Sequence, residues 1–123
     1  AQPLIELACA LQFLGVVILL SETQTWAGKL PSALKSALRA AEEARGLDDP
    51  DIFAAAAMVY MDSFMLSGDD QAPAITLCRE ALDNARSDNT GLRCKLLPHL
   101  ARGHMMNGDF HARPSYLRSA ARC

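Results

Sequence analysis

Three stretches of the chain, TWAGKLPS (Thr25–Ser32), MLSGDDQA (Met65–Ala72) and MMNGDFHA (Met105–Ala112), carry a glycine at the same place, so that Gly28, Gly68 and Gly108 recur every forty residues. Each glycine follows an apolar segment of helical length and precedes a second, amphipathic one. Around Gly68 these are DIFAAAAMVYMDSFMLS and DDQAPAITLCREALDNARS. A glycine so placed closes a helix in the left-handed conformation that any Cβ resists. Pro31, Pro73 and Pro114 fall near the start of the helix after each glycine, where a missing N–H costs little. Asp49-Pro50 is an N-cap followed by proline at the first helical position, and Gly46 is expected to end the helix before it. Asp69 and Asp109 are expected to cap the next helix, with Ser32 taking that part where Lys29 breaks the pattern. Asp88 and Asn89 offer a cap near Thr90.

This punctuation predicts six helices, about 2–25, 30–46, 51–67, 70–87, 90–107 and 110–122. Their short turns set them in three antiparallel pairs. The expected fold is all-α, a right-handed solenoid of three antiparallel helix pairs within a single domain, residues 1–123. Pro98 falls well inside the fifth segment and predicts a kink there, or a helix that starts later than Thr90.

Composition agrees. The chain has 123 residues, half of them hydrophobic, enough for one domain with a real core. Its net charge of -2, with basic residues scattered, excludes a nucleic-acid footprint. Alanine is abundant and β-branched residues are few outside Val16–Ile18, which favours helix. Four cysteines, Cys9, Cys78, Cys94 and Cys123, form no close pair. With a sufficient core they read as reduced thiols in a cytoplasmic protein. LIELACALQFLGVVILL (Leu4–Leu20) is at the short edge of membrane-span length, but it contains Glu6, Gln12 and Gly15 and no basic residue precedes it. It reads as a buried helix rather than a membrane or targeting segment. The absence of an initiator methionine suits a piece of a longer protein.

The pairs resemble a tetratricopeptide-type repeat array. Family positions fall on Ala57, Tyr60, Met61 and Phe64, then Ala74, Cys78 and Ala81, in the second pair. They fall on Leu97, Leu100, Ala101 and His104, then Arg113, Leu117 and Ala120, in the third. In the first they fall on Val17, Leu20, Ser21 and Gln24, then Ala33, Ala37 and Ala40. The turn and small residues match better than the aromatic positions. The period exceeds the family's ~34 residues. The extra length, as in ALRAAEEARGLDDPD, is similar to the repeat regions of large bacterial ATP-dependent transcriptional activators of the LuxR and maltose-regulator type. That resemblance implies a ligand- or partner-sensing region; no GxxxxGK[ST] phosphate loop and no basic recognition helix appear.

No catalytic constellation emerges. His99 and His104 are five apart and do not share a helix face, and His111 has no partner pattern. There is no HExxH, and DDPD and SGDD lack the alternation of a calcium loop. No enzyme, metal site or cofactor is expected. The resemblance places the first helix of each pair on a concave surface, with Ile18, Glu22, Thr25 and Trp26, then Met58, Asp62, Met65 and Leu66, then Lys95, Arg102, Met105 and Met106, facing the groove. Flexible thioethers beside Trp26 suit an adaptable apolar surface. The candidate binding residues are therefore Trp26, Met58, Asp62, Met65, Leu66, Arg102, Met105 and Met106. The function they imply is a protein- or peptide-binding module, the regulatory part of a bacterial regulator. The alternative is a sensor that closes its groove on an apolar small molecule; a core filled with methionine is the structural alternative. The first segment is apolar nearly all round, which one covering helix cannot satisfy. Its second side is expected to be covered by a preceding repeat or by a second copy of the chain. A homodimer or higher oligomer through the first helix is expected, with Leu4, Leu7, Phe13, Val16 and Val17 at its interface.

Overall fold

The computed structural model describes residues 2–85, 89–109 and 113–122; the side chains of 2–5, 7–9, 11, 13, 22, 25 and 113 lie outside the described set. Six helices follow one another: α1 (Gln2–Trp26), α2 (Leu30–Leu47), α3 (Pro50–Ser67), α4 (Ala72–Asn84), α5 (Thr90–Met106) and α6 (Arg113–Ala121). The chain is all-α, with no strand among the described residues. Each helix packs on the next, and α3 also packs on α1 and on α5. Small residues make these close contacts possible, since helix separation follows side-chain size. Ala33, Ala37, Ala40, Ala41 and Ala44 of α2, and Ala54, Ala56 and Ala57 of α3, are completely buried. Leu14, Phe53, Met61, Leu96 and Leu100 fill the space between. No helix of the described residues is long and apolar enough to cross a membrane.

The glycine period does what its spacing predicts. Gly28, Gly68 and Gly108 have φ of 78°, 72° and 75°. Beyond two of them the next amide reaches back over the turn, Lys29 N–H to Gln24 C=O and Asp109 N–H to His104 C=O, each at 2.8 Å. No heavy atom lies within 4 Å of a Cβ added at Gly68, so only conformation resists substitution there. Gly68→Val should lose ~1–2 kcal/mol in urea unfolding and Gly68→Asn clearly less, because asparagine tolerates the left-handed region. Equal losses would show that the positive φ is not the cause.

Several joints differ from expectation. Gly46 does not end α2; it is helical, and Asp48 takes the left-handed position with φ 55°. Its amide and that of Asp49 bond back to Arg45 and Ala44 carbonyls. Asp49 and Pro50 are committed to starting α3, Asp49 accepting from Ile52 N–H at 3.0 Å. The reversal is thus left to the residue before them, and aspartate is among the few non-glycine residues that adopt it. Asp69 does not cap α4. Asp70 accepts from Ala72 N–H at 3.0 Å instead, which, with Asn107, holds its carboxyl below the usual carboxylate range. Asp109 Oδ2 lies 3.1 Å from His104 Nδ1, and residues 110–112, the helix start it is expected to cap, lie outside the described set. No side chain caps α2, so Ser32 does not take that part. Asn89 does cap α5, accepting from Leu92 N–H. The alternative of a late start for α5 is not realised: it begins at Thr90 and runs through Pro98.

The cysteines do not all remain thiols. Cys94 is disulfide-bonded. Cys78 is free, and burial first, then the Asp62 charge, push its thiol up to about 12. Cys9 and Cys123 fall outside the described side chains.

Candidate functional site

The C-terminal ends of α1, α3 and α5 carry equivalent residues forty apart, two positions before each left-handed glycine: Trp26, Leu66 and Met106. All three are exposed, Trp26 to 89%. An indole left in water on a chain with a well-filled core marks a place where something else can land. Trp26 and Leu66 stand on the rim of a cleft of about 480 Å³, lined further by Val59, Asp62, Ser63, Met65 and Arg102. Arg102 also lines a smaller neighbouring cleft, about 170 Å³, with Pro98, Ala101, Met105 and Leu117. The guanidinium is thus shared by both hollows.

An ion pair crosses from α3 to α5 here. Arg102 Nη2 donates to Asp62 Oδ1 at 2.5 Å, and His99 Nε2 lies 3.2 Å from the same oxygen. The other ring nitrogen of His99 lies 2.9 Å from the Lys95 carbonyl, which fixes the ring. Burial pushes the Asp62 carboxyl up, but the His99 hydrogen bond and charge, with those of Arg102, outweigh it and hold the carboxyl below its ordinary value. Asp62 is therefore an anion already engaged by two groups on α5. Arg102 is less completely engaged: its Nε is buried and has no hydrogen-bond partner. Leaving a buried donor unmade costs about 1–3 kcal/mol. Compared with family models, curated proteins and solved structures, the chain matches none. What the site can do therefore rests on its own chemistry: apolar walls and an internally neutralised ion pair.

The eight residues proposed from sequence separate into groups. Trp26, Asp62, Met65, Leu66 and Arg102 meet in the larger cleft. Met105 is exposed and joins through the smaller one, and Met106 is exposed. Met58 does not belong with them. It is half-buried against the core and lines another depression with Asp51, Ala55, Asn89, Gly91, Leu92 and Lys95. One turn of α3 separates Met58 from Asp62, and the two residues line different hollows. Nor do the methionines gather around Trp26 as expected; Met65 alone among them lines the Trp26 cleft. Of the interface residues expected from sequence, Val16 is exposed, whereas Val17 is half-buried and packs on the chain's own core. Leu4, Leu7 and Phe13 lie outside the described side chains.

Sequence reasoning missed Gln71 and Asn107. Gln71 is buried; its Nε2 donates to the carbonyls of Phe64 and Asp69, both at 2.9 Å. Its backbone N–H donates to Asn107 Oδ1 at 2.8 Å, and Asn107 Nδ2 donates to Asp70 at 2.8 Å. This network fastens the turn after α3 to the turn after α5, holding the Leu66 and Met106 ends in register. His104 adds a second tie, stacked on Tyr116 of α6 with centroids 5.4 Å apart. Among the described residues no three of His, Cys, Asp and Glu gather as metal ligands would.

Proposed function

We propose that the chain is a helical-repeat binding module, a right-handed solenoid of three antiparallel pairs of tetratricopeptide type, whose Trp26–Leu66 cleft takes a peptide segment of a partner protein. The exposed Trp26 and Leu66, standing on one cleft walled by Val59 and Met65, carry this reading. A peptide supplies what is missing there, an apolar side chain against Trp26, Met65 and Leu66. Packing of α3 on both α1 and α5 supports the solenoid, since it sets the three first helices side by side. The resemblance to bacterial transcriptional activators supports a place in a regulator.

The test is selection from a random peptide display library on the immobilised domain, followed by titration of an enriched peptide. Enriched peptides should share an apolar anchor. Trp26→Ala and Leu66→Glu should each weaken binding at least tenfold, with melting temperature within a few degrees of wild type, because both side chains are exposed. No enrichment, or enriched peptides indifferent to both substitutions, would overturn the reading. A comparable loss of thermal stability would return the two residues to a structural part.

A further inference from the structure

The turn after α5 holds the chain's one Asn-Gly pair, Asn107-Gly108; the other two asparagines, Asn84 and Asn89, are followed by Ala85 and Thr90. Asparagine before glycine is a labile pair. No Cβ shields the glycine nitrogen from the side-chain amide beside it, and the main chain there turns freely. Both residues are exposed, and no heavy atom lies within 4 Å of a Cβ added at Gly108, so water reaches the pair.

The folded turn holds the pair in an unreactive arrangement. Ring closure requires the Gly108 nitrogen to swing over the Asn107 Cβ, within bonding reach of Cγ. With ψ of 0° at Asn107, that nitrogen instead eclipses the residue's own nitrogen. The Gly108 N–H also donates to the Met105 carbonyl at 3.0 Å. The side-chain amide is pinned at both ends: Oδ1 accepts from Gln71 N–H and Nδ2 donates to Asp70 Oδ1, each at 2.8 Å. The reaction therefore waits on opening of the turn, and a local opening of this kind costs far less than global unfolding.

We propose that Asn107 is a site of spontaneous modification, converted to an acid through the Gly108 nitrogen, and that its conversion unties the turn after α5 from the turn after α3. In the first step the Gly108 nitrogen bonds to Asn107 Cγ and the Cγ–Nδ2 bond breaks. The Gly108 proton leaves with the amide nitrogen as ammonia. One water then opens the five-membered imide. Cleavage between its nitrogen and Cγ gives aspartate, and cleavage between its nitrogen and the main-chain carbonyl carbon gives isoaspartate. Water is the only co-reactant.

Either product is wrong for this turn. The group that donates to Asp70 becomes an oxygen, and a carboxylate then faces the Asp70 carboxylate, itself fixed by Ala72 N–H. Like charges at that distance repel. Isoaspartate also lengthens the main chain by one carbon between residues 107 and 108. The α3 and α5 ends that carry Leu66 and Met106 thereby lose a tie that holds them in register.

The test is incubation of the chain at mildly alkaline pH, folded and in urea, read by peptide-resolved mass spectrometry and by isoaspartate-specific methyl labelling. The three asparagines fall on separate tryptic peptides. Conversion should fall first on Asn107 and give isoaspartate and aspartate together. It should run roughly tenfold faster in urea, because the folded turn must first open. Asn107→Asp, which makes the aspartate product directly, should lower the melting midpoint by several degrees with an unchanged circular-dichroism spectrum. Adding Asp70→Asn puts the amide on the other side of the contact, where it donates to the new acid, and should recover most of that loss. Conversion first at Asn84 or Asn89, or at equal rates folded and in urea, would overturn the assignment of the site. An Asn107→Asp chain as stable as wild type, or a loss that Asp70→Asn does not repair, would overturn the uncoupling.

Discussion

Gln71→Glu is expected to lower stability by roughly 3–5 kcal/mol at neutral pH, because a buried carboxylate is held against groups that accept hydrogen bonds and offer none. The amide donates from Nε2 to two carbonyl oxygens, Phe64 and Asp69, while its Oε1 is buried without a partner. The substitution replaces the donor by an oxygen facing two oxygens. The new carboxyl therefore holds its proton more tightly folded than unfolded, where its value is about 4.3. A folded value raised above the unfolded one means that the native chain binds more protons. The penalty is complete above the folded value and fades as pH falls toward the unfolded one. Urea unfolding of both chains at neutral and mildly acidic pH reads the effect: the gap should narrow in acid. A gap that stays constant with pH, or a loss below about 1 kcal/mol, would show that the carboxylate escapes to water.

Gly103→Ala should cost about 1–3 kcal/mol, although glycine-to-alanine inside a helix ordinarily stabilises. A Cβ at Gly103 would stand 2.8 Å from Met61 Cε and 3.0 Å from Ile75 Cγ1. Met61 is completely buried, so its methyl must be rehoused within the core, and the Ile75 side chain blocks the other side. Gly91 on the same helix has nothing within 4 Å, and Gly91→Ala should gain a few tenths of a kcal/mol to about 1. Opposite signs on one helix isolate the packing term. Met61→Leu, which withdraws the terminal methyl, should recover much of the Gly103→Ala loss, so that the double variant is better than the sum by about 1 kcal/mol. Strict additivity in thermal or urea unfolding would show that the two positions do not touch.

The sequence was most legible where a single residue carries its own conformational preference. Glycines at positive φ, Pro31, Pro50 and Pro73 in first turns, and the Asp49 and Asn89 caps are local effects, and each was found where the letters put it. Long-range chemistry was hidden. Nothing near Gln71 announces that its partner lies at Asn107, and Gly103 looks like an indifferent helical glycine until Met61 and Ile75 are set beside it. Asp48 was missed for a different reason: Gly46 is the better left-handed residue, but the start of α3 had already fixed where the turn must fall. In the site, the groove reading placed Trp26, Asp62, Met65, Leu66 and Arg102 together. It set Met58 beside them, whereas Met58 lines a separate hollow with Asp51, Asn89 and Lys95, a division that helical periodicity does not record. Cys94 was misread because a pairing between distant cysteines leaves no local mark.

The three equivalent positions Trp26, Leu66 and Met106 bear on how the gene can change length. An insertion or deletion of one residue inside α3 turns everything beyond it by about 100° about the helix axis. Such a lesion would carry Asp62 and Leu66 out of the cleft and break the ion pair with Arg102, whatever residue was gained or lost. The connection between α4 and α5 is a different case. α4 is five residues shorter than α2, 13 against 18; on the forty-residue period it starts two residues later and ends three earlier. A change of length between α4 and α5 shifts no residue within a first helix. Among descendants of this sequence, indels should collect between Ala85 and Asn89 and be purged from α3 and α5.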